Sequence, residues 1–207
     1  MNLRETKFVS IDLETGGLDT KKDDILAVGI VPMIGTKILI NEAYYSLVKP
    51  ENFKIDTIKI HGLDPKSLEK APKFNEIASE IYNRIRDRII VGYAVEIDIA
   101  FLKRAFKKIG YNIDNKYIDI IEVEKVLCQK LGEPLLHEDL TLDAMMKRYK
   151  ISGTYRHNAL ADAFFAAQIF QIQLVKLLKY GINTLEKLEE ILKYSLKYSD
   201  KDRLIFM

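Results

Sequence analysis

The segment Phe8-Val9-Ser10-Ile11-Asp12-Leu13-Glu14 alternates like a β-strand, and it sends two carboxylates, Asp12 and Glu14, out of the same face. Burying two anions side by side strips water from each and sets them against one another. A fold built on this strand must therefore do one of two things. Either both carboxylates reach water at a strand end, or something cationic lies between them. A divalent metal ion is the most compact such cation.

Two further segments place acids in apolar surroundings. Residues Ile89 to Leu102 read as a strand through Gly92 that enters a helical pattern at about Asp98. The stretch Tyr155-Arg156-His157-Asn158-Ala159-Leu160-Ala161-Asp162-Ala163 leads into an Ala- and Phe-rich segment with the pattern of a buried helix. On one continuous helix, residues five apart diverge by roughly 140°. His157 and Asp162 can share a target only if His157 lies in the loop before that helix.

In order, these are Asp12-x-Glu14 with Thr15-Gly16-Gly17-Leu18, then Asp98, then His157-x-Ala159-x-x-Asp162-Ala163. The set resembles the three motifs of the DEDD-type 3′-to-5′ exonucleases, in the DnaQ-like subclass with a motif-three histidine that includes the proofreading epsilon subunits of bacterial replicative polymerases. Val48-Lys49-Pro50-Glu51, Ile60-His61-Gly62-Leu63 and Tyr117-Ile118-Asp119 look like intermediate landmarks of that family.

The resemblance implies that Asp12, Glu14, Asp98 and Asp162 hold two Mg²⁺ or Mn²⁺ ions, hard cations suited to an oxygen-only site. It implies that His157 is the general base, a task matched to an imidazole's near-neutral pKa. Thr15, Gly16, Gly17 and Tyr93 are the expected substrate contacts. The chain departs from the family at Tyr93-Ala94, where many members carry His-Asn, and at Ile97, where Phe is usual. Gly16 stands where Thr is common, which removes a hydroxyl and leaves backbone amides free to approach a nucleotide. Tyr93 reads either as a core tyrosine or as a platform for a base or sugar.

At 207 residues and 48% hydrophobic content the chain can bury one full core. A net charge of +2 gives no overall electrostatic footprint for nucleic acid. Lys103, Arg104, Lys107, Lys108, Lys147, Arg148, Lys150 and Arg156 read mainly as solvated helix faces. Cys128 is the lone cysteine and falls in an apolar-periodic stretch, as expected of a buried small hydrophobe rather than a nucleophile. The N-terminus lacks a signal-like apolar core, and a cytoplasmic location is the expectation.

The pattern predicts an α/β fold, and the resemblance implies that it is completed as a ribonuclease H-like mixed five-stranded sheet flanked by helices. The strands are expected at 7–14, 25–33, 38–48, 89–92 and 116–119, and the helices at 75–86, 98–109, 121–131, 142–149 and 158–179. Residues 1–180 are expected to form the exonuclease domain. Residues 181–207 are expected to form a helical extension packed on it, begun by Asn183 and Glu186 as a capping-box-like pair. Its stripe of Leu185, Leu188, Ile191, Leu192 and Leu196 covers the domain or docks a polymerase or a second copy. His61 and His137 read as structural residues, and Asp119 as a helix N-cap or an accessory carboxylate.

The expected function is release of nucleoside monophosphates from single-stranded or frayed DNA 3′ ends. RNA trimming by the same chemistry and a non-catalytic binding or polymerase-docking subunit are the alternatives.

Overall fold

The computed structural model of the chain describes residues 1–51, 62–153 and 155–202, with side chains described to residue 193 in the final helix. The Ile60-His61 landmark, the Leu196 side chain and Leu204 to Met207 lie outside the described residues.

Strand β1 (Lys7–Thr15) is the spine, and its alternation decides what lies on each face. Phe8 points into one cluster, while Val9, Ile11 and Leu13 point into another. Antiparallel to it runs β2 (Ile25–Ile34), in the register Phe8↔Met33, Ser10↔Val31, Asp12↔Gly29 and Glu14↔Ala27. On its other side β5 (Ile89–Gly92) pairs parallel to β1, and β6 (Tyr117–Asp119) pairs parallel to β5.

The predicted strand at 38–48 arrives in two pieces, both on the outer edge of β2. These are β3 (Lys37–Ile38), closed by the turn at Gly35-Thr36, and β4 (Tyr44–Leu47). A 3₁₀ turn at Ile40–Glu42 separates them. The reason is local: Ile38-Leu39-Ile40 does not alternate, and Asn41-Glu42 favours a turn over a ladder. The mixed sheet therefore has six strands in five positions.

Helices α2 (Phe74–Ile85) and α3 (Glu96–Lys108) cover one face, with Ile81, Ile85, Phe101, Leu102 and Phe106 buried against Val9, Ile11, Val28 and Ile30. On the other face lie α4 (Ile120–Leu131), α5 (Leu142–Arg148) and α6 (Ala159–Lys179). The Phe8 and Phe170 rings meet edge to face there at 5.0 Å. By length and composition α6 could cross a membrane, but its Ala163, Ala166, Phe170 and Leu174 are core residues of this layer.

Helix α1 (Pro65–Lys70) was not expected, although its start has a clear signal. Asp64 accepts the Ser67 amide at 3.0 Å, and Pro65 occupies the first helical position. The last helix, α7 (Leu185–Asp202), begins differently from the expectation. Thr184, not Asn183, offers the side-chain cap, to the Lys187 amide at 3.4 Å. The Asn183 carbonyl accepts the Leu3 amide instead. Ile182, Leu185 and Leu188 are buried in the same cluster as Phe8 and Phe170, and Ile191 and Leu192 pack against it.

Candidate active site

The carboxyl ends of the parallel strands β1 and β5 lie side by side, and the acids gather there. Asp12 and Glu14 leave β1 on the α6 side. Asp98 stands in the first turn of α3 and Asp162 in the first turn of α6, where the unpaired amides and the helix dipole favour a negative charge.

Asp12, Glu14 and Asp162 offer oxygens that all lie within 4.8 Å of one another. Asp98 joins from the first turn of α3. Its Oδ1 accepts the Leu13 amide at 3.1 Å, between the two β1 acids in sequence, and its charge acts directly on Asp12. The four acids expected from the motifs are thus brought together.

Their electrostatics report the strain of that arrangement. Loss of water on burial pushes Asp12 well above the usual carboxylate range, and repulsion from Asp98, Asp162 and Glu14 adds to it. Glu14 is raised to about 7, first by burial and then by Asp162. Asp98 is raised by burial too, although the Leu13 amide and its own amide pull it back.

His157 lies in the loop before α6, the position from which it could share a target with Asp162, with a left-handed φ of +62°. Asn158 caps the helix by accepting the Ala161 amide at 3.1 Å. This turn aims the His157 amide at Asp162 Oδ2, 3.2 Å away, while the imidazole belongs to an exposed residue whose charge bears on Glu14.

Gly29 explains how Asp162 comes so close to Asp12. It is the cross-strand partner of Asp12, and a Cβ built on it would stand 2.1 Å from the Ala159 carbonyl oxygen. Only a residue without a side chain lets the first turn of α6 rest on the sheet at this point. On the far side of Gly29 stands Tyr45, whose phenol is pushed up by burial and by Glu14.

The first-motif loop is more committed than expected. The Gly16 amide donates to the Asp24 carbonyl at 2.8 Å, so it is not free for a nucleotide, and the Thr15 hydroxyl donates to the Gly17 carbonyl at 2.8 Å. A Cβ on Gly17 would meet the Asp23 carboxylate at 2.2 Å. Tyr93 is half-buried against the core, with its phenol pushed up by burial and by Asp119.

Asp119 does cap α4, accepting the Ile121 amide at 2.9 Å. It also accepts the Ala94 amide at 3.3 Å, across the turn that leads from β5 to Asp98. Ala94 has a φ of +48°, so Asp119 braces a strained turn that sets the position of a site carboxylate. Burial raises it to about 6.

Three of the basic residues expected on solvated faces do structural work. Arg104 donates to the Asp23 carbonyl. Arg148 reaches buried Glu124 at 3.5 Å and donates to Cys128 Sγ at 3.0 Å. Arg156 forms ion pairs with Asp162 and with Asp143, the latter at 2.7 Å. No local pattern in the sequence distinguishes these from exposed arginines.

An exonuclease family model (RNase_T: Exonuclease) matches residues 9–170 of the chain. The chain belongs to this exonuclease family. Its similar proteins include the DNA polymerase III PolC-type of Caldanaerobacter subterraneus, 27% identical over 190 residues, which span 91% of this chain and 13% of that protein. The 3′-5′ exonuclease DinG of Staphylococcus aureus is 30% identical over 195 residues, 92% of this chain and 20% of that protein. The chain thus spans a fifth or less of the length of these two relatives.

Among solved structures, E. coli Exonuclease I in complex with a dT13 oligonucleotide superposes with a TM-score of 0.72 and 18% identity, covering 85% of this chain and 42% of that one. Exonuclease X in complex with 5′ overhanging duplex DNA gives 0.65 and 19%, covering 89% of this chain and 99% of that one. At such identities the likeness establishes a shared fold, the ribonuclease H-like sheet with flanking helices.

Proposed function

We propose that this chain is a metal-dependent 3′-to-5′ exonuclease that hydrolyses single-stranded or frayed DNA ends to nucleoside monophosphates. The observation that carries the reading is the meeting of Asp12, Glu14, Asp98 and Asp162, from three separate segments, at the carboxyl ends of β1 and β5. Family membership supports it, as do the 3′-5′ activity named for the DinG relative and the oligonucleotide bound in the Exonuclease I structure.

The donor set suits two Mg²⁺ or Mn²⁺ ions. It is all oxygen, and burial together with the neighbouring acids makes Asp12 and Glu14 resist ionising unless a cation joins them. Such ions supply an activated water and charge stabilisation at phosphorus and at the departing 3′ oxygen. Asp12, Glu14, Asp98 and Asp162 would hold them. His157, exposed beside Glu14, would take the proton from the attacking water. Thr15, Gly16 and Gly17 shape the turn next to Glu14; together with Tyr93 they would receive the terminal nucleotide. In this assignment Gly16 and Thr15 act through the turn they brace.

Residues 1–180 and the extension from 181 are proposed as one folded unit in the cytoplasm. A polymerase context is suggested by the PolC-type relative. Since Leu185 and Leu188 are spent on the core, a polymerase or a second copy would use another surface.

The test is a pair of 5′-labelled substrates of equal sequence, one a linear strand with a free 3′ hydroxyl and one a closed single-stranded circle. With Mg²⁺ the linear strand should shorten stepwise and the circle should persist. Linearisation of the circle by pure protein would contradict the end-directed reading, and a matched RNA strand reports sugar preference.

A further inference from the structure

The carboxylate cluster contains a cation of its own. Arg156 reaches the Asp162 Oδ1 through Nη1 and donates from Nε to Asp143 Oδ1 at 2.7 Å. Its charge also favours the ionised forms of Asp12 and Glu14. The two partners differ in setting, since the Asp162 side chain is 8% exposed and that of Asp143 is 73% exposed. The inner pair is therefore shielded from water, and the outer pair is screened by it.

We propose that Arg156 is a built-in counter-ion of the metal site, displaced from Asp162 when divalent metal binds and retained nearby by Asp143. The proposal rests on the metal-site reading above. A guanidinium and a divalent ion cannot share Asp162 Oδ1 without placing like charges within a few ångströms in a site largely shielded from water.

The local chain is arranged for the exchange. Oδ1 of Asp162 is held by the Arg156 side chain, and Oδ2 by the amide of the next residue, His157, at 3.2 Å. When Arg156 lets go, the amide still orients the carboxylate. Only one side chain has to rotate. The arginine thus reduces repulsion in the metal-free cluster and, by competing, weakens metal binding.

Calorimetric titration of the full chain with Mn²⁺, without nucleic acid, tests this in the wild type, Arg156→Lys and Arg156→Gln. Melting in chelator and in saturating Mn²⁺ accompanies it. Arg156→Gln should bind Mn²⁺ roughly tenfold tighter, about 1.4 kcal/mol. Arg156→Lys, still charged but without the two-pronged reach, should fall between. In chelator the Gln variant should melt below wild type, and in Mn²⁺ the gap should close.

Equal or weaker Mn²⁺ affinity in the variants would overturn the proposal and make Arg156 a support of the site. Should Arg156→Gln not fold without metal, the comparison of Arg156→Lys with wild type decides by the same criterion. A wild-type chain that binds no Mn²⁺ would overturn the metal-site reading itself, an outcome distinct from the failure of the counter-ion.

Discussion

Asp12, Glu14 and Asp98 hold protons to higher pH in the folded chain than their ordinary values of 3.8 and 4.5 allow, because burial and mutual repulsion penalise their ionised forms. Between those values and about 7, where Glu14 titrates, the folded state binds more protons than the unfolded one. Stability then falls with rising pH, being fully present below the ordinary values and lost through the raised ones. The chelated protein should accordingly melt progressively lower from pH 5 to pH 8 in scanning calorimetry. Asp12→Asn should flatten that slope, melt a few degrees higher at pH 8, at roughly 2–4 °C per kcal/mol, and abolish hydrolysis. A wild-type profile that is flat or rises over this range would refute the assignment of strain to these acids. His157 differs in kind, since its exposed imidazole adds no buried charge. His157→Ala should slow single-turnover cleavage at saturating metal by roughly 10²- to 10⁴-fold and leave metal affinity by calorimetry near that of wild type. Loss of metal binding in that variant would instead make His157 a ligand.

At the scale of elements, the site is the meeting of a strand end with two helix starts, and the spacing between them is set by what is absent at Gly29. Gly29→Ala places a methyl 2.1 Å from the Ala159 carbonyl oxygen, which is backbone and cannot rotate aside. The first turn of α6 must lift from β2 and carry Asp162 with it. Overpacking of this sort costs about 1–3 kcal/mol. A displacement near 1 Å at a catalytic group costs about 10²-fold in rate. Thermal melting and single-turnover kinetics on Gly29→Ala should show both losses together. Full activity with normal stability would mean that α6 does not depend on this contact. The turn braced by Asp119 plays a matching part for Asp98, holding the start of α3 through the Ala94 amide.

The molecule as a whole has a core on each face of one sheet, and the segment after residue 180 belongs to the larger of them. Leu188 is fully buried with Leu185 and Ile182, and backbone bonds from Leu3 to Asn183 and from Leu185 to Met1 stitch that segment to the start of the chain. Leu188→Ala should cost about 2–5 kcal/mol, as other buried leucines do, and leave Mn²⁺ affinity of the folded protein unchanged. Denaturant melts and calorimetry would check the two halves of that statement. A stability change under 0.5 kcal/mol would point instead to a helix that only rests on the surface.

Much of what depended on local periodicity was legible in the sequence, although the break in the strand expected at 38–48 and helix α1 were missed. A period of two placed Asp12 and Glu14 on one face of β1, and a period of 3.6 meant that His157 could share a target with Asp162 only from the loop before its helix. The Gly35-Thr36 turn and the paired ladders around it followed from the same kind of reading. Partners far apart in sequence were decided only by the tertiary structure. Nothing local marks Arg156 for a carboxylate cluster, Arg148 for buried Glu124, or Gly29 for a helix end 130 residues later. A side chain's type limits which bonds it can make, whereas packing determines which groups come within reach, and a charge in water has the same sequence signature as one in a core. That is why the paired acids of β1 could be read from the chain itself and the set of four through the family resemblance, while the cation already among them could not be read from either.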